Sequence, residues 1–239
     1  MAGDVSNPTS RTWLLGHRGL RIRGLRRLTS SAPAENSMAA FEYALSQRCD
    51  EFDVRHTRDG RNVLWHDAEF AGREIAATDF ADLVARDGTR LAYLEEVLQQ
   101  FGHRAYLDIE IKVSGHEGEV AAALKQNPPR RGYMLSSFLP QVLLRLNEID
   151  GQIPLGYICE RVPLISLWQR LPMKIFLPRH DLLQPQLVEE VHRYGKEIVT
   201  WTVNSAMRMQ ELTEWGVDGL ISDDPGLLFR TLGGGRAGE

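Results

Sequence analysis

Long apolar runs are absent from this chain of 239 residues, and so is the usual mark of an exported protein. Nowhere do about eighteen apolar residues follow one another, the length that a membrane-spanning helix needs. The first residues, MAGDVSNPTSRTWLLGHRG, contain no basic segment followed by an apolar one, as a secretory signal would. We therefore expect a cytoplasmic protein without a transmembrane segment.

Cysteine is scarce, and basic charge is not in excess. The two cysteines, Cys49 and Cys159, lack the spacing of a metal-binding motif, so we expect buried free thiols rather than a disulfide. The formal net charge is -4, which gives no basic surface for nucleic acid. A hydrophobic share of 43% suffices for a large core. The composition thus indicates an ordinary globular protein and excludes nucleic acid as a partner.

Strand-like and helix-like segments alternate along most of the chain, which is typical of parallel strands joined by helices. The length suits a single α/β barrel, which commonly has about 250 residues. Short helical pieces are predicted at 77–87 and 91–102. Strands are predicted around residues 14, 52, 64, 108, 134, 156, 176, 200 and 220. We expect one TIM (β/α)8 barrel at 12–231 with a β-hairpin after its second strand, a flexible lead-in at 1–11 and a flexible tail at 232–239.

The hairpin is predicted in the segment Glu51–Asp67, EFDVRHTRDGRNVLWHD. Its Asp59-Gly60 pair, between apolar and β-branched residues, is a strong signal for a two-residue turn. A turn centred there sets Asp53 opposite His66 in the ladder, with Cβ atoms about 4.5–5.5 Å apart. The sequence therefore predicts that a carboxylate and an imidazole face each other.

Two acidic groups share one face of this hairpin. Glu51 and Asp53 are two residues apart, so both side chains lie on the face that His66 joins. Like charges this close are unfavourable unless a positive charge lies between them, and a divalent cation would supply it. The alternative is a surface hairpin whose charges are solvated.

A second cluster of polar residues follows the first predicted strand, in Gly16-His17-Arg18-Gly19. The glycines allow a sharp turn that points both side chains at a ligand. An arginine suits phosphate or carboxylate, and a histidine moves protons near neutral pH. The alternative is a turn with a surface cation and a tucked histidine.

Arginines crowd the next stretch, where five occur between Arg18 and Arg27. This is either a solvated loop or, through the segment Arg21–Arg27, a surface that collects anionic substrates or touches a membrane. A helix with apolar spacing follows, and Asn36 or Ser37 is expected to cap it. Glu35 then interacts with the helix N-terminus or lines a site beside it.

The segment AYLDIEIK carries ionisable groups on a strand that should be buried on both faces. Alternation puts Tyr106, Asp108, Glu110 and Lys112 on one face, where buried charges need partners. One interpretation is a structural Glu110–Lys112 pair. The other makes Glu110 a third carboxylate for a metal ion, with Lys112 facing a bound anion.

In a TIM barrel, functional residues lie at the C-terminal ends of the strands. The groups above all fall at such ends, so we expect them at one mouth. Trp201, near the end of a late strand, is either a core aromatic or a wall for the substrate, and Asn204 follows it. The residues expected together are His17, Arg18, Glu51, Asp53, His66, Asp67, Glu110, Lys112, Trp201 and Asn204.

The ordered set of motifs resembles the glycerophosphodiester phosphodiesterases from Leu15 to about Phe229. The matching motifs are His17-Arg18-Gly19, Glu35-Asn36-Ser37, Glu51-x-Asp53-Val54, Thr57-x-Asp59-Gly60, Val63-x-x-His66-Asp67, Ile109-Glu110-Ile111-Lys112, Ser137-Phe138, Trp201-Thr202-Val203-Asn204 and Ser222-Asp223-Asp224-Pro225. The resemblance implies a TIM barrel and metal-dependent hydrolysis of glycerophosphodiesters to glycerol 3-phosphate and an alcohol.

The resemblance also implies roles for individual side chains, and three oxygen ligands suit a hard cation. By similarity, one Mg2+ or Ca2+ is the cofactor, two histidines act as general acid and base, two cations contact the phosphate and an indole lines the substrate site. These residues are Glu51, Asp53 and Glu110 for the metal, His17 and His66 for proton transfer, Arg18 and Lys112 for the phosphate, and Trp201 for the substrate.

Two departures from the family pattern bear on the substrate rather than on the chemistry. Ala34 stands where the family usually has proline, and the gap from His17 to Glu35 is longer than usual. The segment after His66 is short and leaves little room for a cap over the mouth, so the substrate is expected to be a glycerophosphodiester or a lysophospholipid. Two alternatives are a phosphodiesterase similar to lysophospholipase D or sphingomyelinase D, and a binding barrel without catalysis. The sequence does not distinguish a cyclic-phosphate route from direct attack by water, and it predicts no oligomeric state.

Overall fold

A computed structural model describes residues 13–19, 35–46, 49–86 and 88–233, with backbone only at 44–46, 49 and 50. The arginine-rich segment Arg21–Arg27 and the lead-in at 1–11 lie outside these ranges. Most of the predicted tail, 234–239, does so as well.

Eight parallel strands run side by side, and a ninth pairs antiparallel with one of them. In the described residues the sheet order is β1-β11-β10-β9-β8-β7-β6-β2-β3, and β4 and β5 form a separate ribbon. This is the predicted TIM (β/α)8 barrel with its hairpin, and each predicted strand position lies within a strand. The strands are β1 (Trp13–Gly16), β2 (Cys49–His56), β3 (Asn62–Leu64), β4 (Glu69–Phe70), β5 (Arg73–Glu74), β6 (Tyr106–Ile111), β7 (Tyr133–Ser137), β8 (Leu155–Cys159), β9 (Ile175–Pro178), β10 (Glu197–Thr200) and β11 (Gly219–Ser222).

Helices follow most of the strands and cover the outside of the sheet. Between β8 and β9 the connection is a 3-10 helix, Val162–Gln169, instead of an α-helix. None of the described helices is long and apolar enough to cross a membrane. The α-helices are α1 (Met38–Ser46), α2 (Leu94–Phe101), α3 (Glu117–Gln126), α4 (Pro140–Ile149), α5 (Pro185–Arg193), α6 (Ala206–Glu214) and α7 (Pro225–Leu232).

Alternate residues of the strands divide the core into two layers. One cluster lies between sheet and helices and includes Phe52, Ile109 and Phe176. A second cluster contains the alternate positions Leu15, Met134, Ile158, Ile175, Leu177, Val199 and Ile221. This second set fills the barrel interior below the strand ends that carry the polar residues. Cys159 is buried with a free thiol, as predicted.

The hairpin differs from its prediction by one residue. Val54 pairs with Leu64 and His56 with Asn62, so the amide of Trp65, not a group of His66, donates to the Asp53 carbonyl at 3.1 Å. The turn contains three residues, 58–60, closed by the amide of Thr57 donating to the Arg61 carbonyl at 3.0 Å. The predicted two-residue register, with Asp53 opposite His66, is therefore wrong.

The helical piece predicted at 77–87 is also wrong. Among the described residues 77–86 there is no α-helix, only the last residue of a 3-10 turn, Ile75–Ala77, and a second 3-10 turn, Phe80–Asp82. The β2–β3 turn supplies the partners that a helix would otherwise provide. The amide of Arg58 donates to the Thr78 carbonyl at 3.1 Å, and the amide of Phe80 donates to Asp59 Oδ1 at 3.0 Å. By contrast, the second predicted piece forms α2, and Gly102 is the C-cap where that helix stops, as predicted.

Gly19, just after β1, lies against the backbone of α1. Its φ is +75°, and a Cβ there would lie 2.8 Å from the backbone carbon of Ala40 and 2.9 Å from the nitrogen of Phe41. Gly72 has a similar φ, +77°, but nothing lies within 4 Å of the added atom. The two positions therefore share backbone strain and differ in steric contact.

We expect Gly72→Ala to lower the free energy of unfolding by about 1–2 kcal/mol, the cost of a left-handed alanine. Gly19→Ala should cost roughly 1–3 kcal/mol more because its methyl group collides with backbone atoms. Urea denaturation of both variants measures the difference. Equal losses would show that α1 does not confine Gly19.

Candidate active site

Three acidic side chains of β2 and β6 meet on one face of the sheet. The Cα atoms of Asp53 and Glu110 are partners in the parallel ladder, and Glu51 lies two residues before Asp53 on the same face. Ligand oxygens of all three lie within 4.8 Å of one another. Each residue is buried, with exposed fractions of 3% for Glu51, 0% for Asp53 and 8% for Glu110. The structure thus brings together the three carboxylates that the sequence singled out.

Two basic side chains reach into this cluster. Lys112 Nζ donates to Glu110 Oε1 at 2.5 Å and lies 3.4 Å from Asp53 Oδ1. Arg18 Nε lies 3.0 Å from Asp53 Oδ2, although it does not meet hydrogen-bond geometry there. The backbone amide of Arg18 donates to Glu51 Oε2 at 2.8 Å. Lys112 forms the predicted ion pair with Glu110, and this pair is part of the carboxylate cluster. The structural interpretation and the functional interpretation of Lys112 are therefore compatible.

Burial and charge act differently on the three acids. Burial raises the pKa of Glu51 well above its usual range, and the charge of Asp53 adds to the shift. Burial also raises the pKa of Glu110 to about 7, although Lys112 opposes it. Burial disfavours the charge of Asp53 too, but Lys112 and Arg18 outweigh this effect and lower its pKa. The two cations thus outweigh the effect of burial at Asp53 but not at Glu51 or Glu110.

The donor set fits a hard divalent cation. Asp53 Oδ1 is buried and has no hydrogen-bond partner, so a buried acceptor points into the cluster. Three carboxylate groups provide only oxygen ligands, which Mg2+ and Ca2+ prefer. A cation among them would supply further positive charge beside Glu51 and Glu110.

Asn36 is a site residue that the sequence interpretation missed, since it considered only a helix cap there. Its side-chain amide donates to Asp53 Oδ2 at 2.9 Å, and the Asp53 amide donates to its Oδ1 at 3.3 Å. Ser37 is the cap, because its Oγ accepts from the Ala40 amide at 3.2 Å. Asn36 has a φ of +55°, a conformation that asparagine tolerates better than most residues. It fixes the orientation of the Asp53 carboxylate.

His17 is held from the other side of the barrel mouth. Its Nδ1 lies 2.6 Å from Asp223 Oδ1, just after β11. Asn204 orients that carboxylate, donating to Asp223 Oδ2 at 2.8 Å and accepting from the Asp223 amide at 2.9 Å. Asp223 appeared in the sequence only as part of a motif, and no role was inferred for it. Its position after the last strand was the available signal.

His66 lies after β3 with its side chain 35% exposed. Its Nδ1 is 2.7 Å from Asp67 Oδ1, and the Arg55 guanidinium donates to its carbonyl at 2.8 and 2.6 Å. Burial lowers the pKa of His66, the charge of Lys112 lowers it further, and that of Asp53 opposes the shift. His66 therefore lies within electrostatic reach of the carboxylate cluster although the predicted ladder pairing does not exist.

Trp201 contacts both the core and the mouth. Its indole Nε1 donates to the Leu177 carbonyl at 2.8 Å, and its ring packs edge-on against Phe138 with centroids 5.4 Å apart. Lys112 Nζ lies 5.6 Å from the centroid of the Phe138 ring. An aromatic pair thus borders the cationic side of the site, so the two interpretations of Trp201 are compatible.

A fourth acid lies deeper in the barrel. Asp108 is 1% exposed, and Ser136 Oγ donates to its Oδ1 at 2.6 Å. Burial raises the pKa of Asp108 to about 7; the hydrogen bond from Ser136 opposes the shift, whereas the charges of Glu110 and Asp53 add to it. Asp108 is thus a further buried acid within electrostatic reach of the carboxylate cluster.

A family model and individual relatives of this chain point to the same protein family. The Glycerophosphoryl diester phosphodiesterase family matches residues 17–227. A glycerophosphodiester phosphodiesterase of Caldanaerobacter subterraneus is 28% identical over 93% of this chain and 98% of its own. The putative glycerophosphodiester phosphodiesterase YhdW of Bacillus subtilis is 27% identical over 91% of this chain and 97% of its own.

Two solved structures share the fold. A glycerophosphodiester phosphodiesterase from Parabacteroides distasonis superposes with a TM-score of 0.81 at 21% identity, covering 95% of this chain and 98% of that one. A phosphodiesterase from Oleispira antarctica, solved with the product sn-glycerol-3-phosphate, has a TM-score of 0.79 at 21% identity, covering 93% of this chain and 97% of that one.

The raised pKa of Asp108 predicts a pH dependence of stability. An unfolded aspartate has a pKa of about 3.9. Between that value and the folded pKa of about 7, the native state binds the extra proton, so this group makes stability fall as pH rises. We expect Asp108→Asn to remove this contribution, so in EDTA its free energy of unfolding should fall less steeply between about pH 4.5 and about pH 7.

Urea denaturation at several pH values measures both slopes, and Asp82→Asn on the exposed surface serves as the matched control. Identical slopes for wild type and Asp108→Asn would contradict the perturbed carboxyl.

Proposed function

The chain belongs to the glycerophosphoryl diester phosphodiesterase family and is an enzyme of that class; we propose that it uses a divalent cation and two histidines to release glycerol 3-phosphate and an alcohol. The observation that carries this proposal is the cluster of Glu51, Asp53 and Glu110, buried together at the barrel mouth with Lys112 and Arg18 beside it. A binding barrel without catalysis has no need of such a costly arrangement of buried charge.

The three carboxylates would hold one Mg2+ or Ca2+. When bound, such an ion stabilises the negative charge that develops on the phosphoryl oxygens. Asn36 contributes by fixing the Asp53 carboxylate through two hydrogen bonds. Orienting groups of this kind preserve the ligand geometry between turnovers.

Lys112 and Arg18 are proposed to bind the phosphate. The ammonium group of Lys112 has three donors, of which Glu110 accepts one. The guanidinium of Arg18 offers a fork of donors suited to phosphate, and its Nε has no hydrogen-bond partner. Both groups are mostly buried, so a phosphate would meet them in a poorly solvated site where charge interactions are strong.

His17 and His66 are proposed to move protons at the two ends of the displacement. Each ring has Nδ1 next to an aspartate, Asp223 for His17 and Asp67 for His66. A carboxylate that accepts from Nδ1 leaves Nε2 to exchange a proton with the substrate. One ring then takes the proton of the attacking hydroxyl or water, and the other protonates the departing alcohol oxygen.

The proposal predicts that activity depends on metal and on both rings. With glycerophosphocholine as substrate, EDTA should abolish the release of glycerol 3-phosphate, and added Mg2+ or Ca2+ should restore it. His17→Ala and His66→Ala should each lower kcat by about 10²–10⁴-fold, the usual contribution of a general acid or base.

His192→Ala is the matched control, because His192 also pairs with an aspartate, Asp218, at 2.9 Å but lies on the surface. Its activity should equal that of wild type. Activity that resists EDTA and survives both active-site substitutions would reject the mechanism. Parallel assays with glycerophosphoethanolamine and lysophosphatidylcholine establish the alcohol and show whether lysolipids are substrates.

Asp223 is proposed as a positioning residue for His17. Asp223→Asn preserves the shape but no longer fixes the ring tautomer, so kcat should fall on the order of 10²-fold or more, with little change in KM and an altered pH profile. The neighbouring Asp224→Asn is the control, since Asp224 caps α7 through the Leu227 amide at 2.8 Å and asparagine caps equally well. Equal activity of the two variants would exclude this role.

A further inference from the structure

A second group of metal-ligating side chains lies outside the carboxylate cluster. His56 ends β2, His116 immediately precedes α3, and Glu119 lies in the first turn of α3. One ligand atom from each lies within 4.8 Å of those of the other two. Arg55 shares its face of β2 with Glu51 and Asp53. His56 is the next residue, so its side chain points to the opposite face of the sheet. The group is therefore separate from the proposed catalytic site.

His56 is oriented as metal-binding histidines usually are. It is 6% exposed, and its Nδ1 lies 3.1 Å from the side-chain oxygen of Asn62. A ring that donates from one nitrogen to such an oxygen keeps the lone pair of the other nitrogen for a ligand. Burial lowers the pKa of His56, the hydrogen bond with Asn62 opposes the shift and the neighbouring His116 adds to it, so the environment favours the neutral ring. Only a neutral imidazole can bind a metal.

His116 has a nitrogen without a partner. Its Nδ1 is shielded from solvent and makes no hydrogen bond. Glu119 Oε1 lies 3.9 Å away, which is too far for a hydrogen bond, although an ion pair is within reach. Metal–nitrogen and metal–oxygen distances of about 2.0–2.2 Å would fit between two such atoms. An unsatisfied nitrogen therefore lies close to a carboxylate, at a spacing that one metal ion could bridge.

From these contacts we propose that His56, His116 and Glu119 form a second cation site, for a divalent transition metal of the Zn2+ type. Two imidazole nitrogens and one carboxylate oxygen form a common set of zinc ligands, with water as a fourth. Mg2+ and Ca2+ prefer oxygen ligands and have little affinity for imidazole. The chain thus offers two sites of different chemical hardness, three carboxylates at the mouth and two histidines with one glutamate outside it.

In this structure the His56 and His116 rings stack on each other, with centroids 3.6 Å apart and an interplanar angle of 15°. Binding one ion requires the His116 ring to tilt out of this stack, and its side chain is 40% exposed, so it has room to move. The ion would then join the end of β2 to the start of α3. Since β2 carries Glu51 and Asp53 and the segment before α3 carries Lys112, this link would brace two sides of the catalytic mouth.

The test is a calorimetric titration of the full chain with Zn2+ in excess Mg2+, which occupies the carboxylate cluster. We expect one Zn2+ per chain, affinity at least tenfold weaker in His116→Ala, and weaker affinity in Glu119→Gln. His103→Ala, an exposed histidine elsewhere, should bind within twofold of wild type. At about a hundredfold excess over Kd, Zn2+ should raise the Tm of wild type by roughly 5–10 °C and that of His116→Ala much less.

Both test residues are partly exposed, and cooperative melting in EDTA shows that each variant is folded. His116→Ala should keep its phosphodiesterase activity in Mg2+, which separates this site from the catalytic one. The proposal fails if wild type binds no Zn2+, if His116→Ala binds it as tightly as wild type, or if the bound Zn2+ is lost in Glu51→Gln instead. The stacked rings would then be packing contacts only.

Discussion

The parallel pairing of β2 with β6 is the constraint on which the site depends. Its register makes Asp53 and Glu110 neighbours, and Glu51 joins them because strand side chains repeat every second residue. Three acids are thereby forced into a buried space, at a cost of several kcal/mol for each unpaired charge. Lys112, Arg18 and Asn36 offset part of this cost and together keep the pKa of Asp53 low, and Lys112 also pairs with Glu110. A divalent cation is the partner that would satisfy the remaining two acids.

Barrel closure brings the other proposed catalytic groups to the same place. The amide of Gly19, just after β1, donates to the Glu51 carbonyl on β2 at 3.3 Å, so the first and second barrel strands meet. On its other side β1 pairs with β11, which is followed by Asp223. His17 therefore lies between an aspartate from the last strand and an arginine that contacts the acids of the second. Residues more than two hundred positions apart in sequence become neighbours because the strands close on themselves.

Much of this arrangement could be predicted from the sequence, because periodicity and residue type are local signals. Strand positions followed from apolar alternation, and the carboxylates of Glu51, Asp53 and Glu110 followed from acids at strand ends. The hairpin register could not be predicted in this way. The Asp59-Gly60 pair suggested a two-residue turn, but the hydrogen bond from Thr57 to Arg61 closes a turn of three residues. Asn36 and Asp223 were missed as site residues because their partners, Asp53 and His17, are fixed only by tertiary contacts. The helix predicted at 77–87 does not extend beyond a 3-10 turn because Thr78 and Phe80 bond to the β2–β3 turn, and the Ala85 amide donates to the Thr89 carbonyl.

The most direct test of the central claim is a crystal structure of the protein with Mn2+, a substitute for Mg2+ that can be located by its anomalous scattering. The account predicts a strong anomalous peak within about 2.0–2.4 Å of carboxylate oxygens from Glu51, Asp53 and Glu110. An active, Mn2+-loaded enzyme with no peak between these three side chains would contradict it.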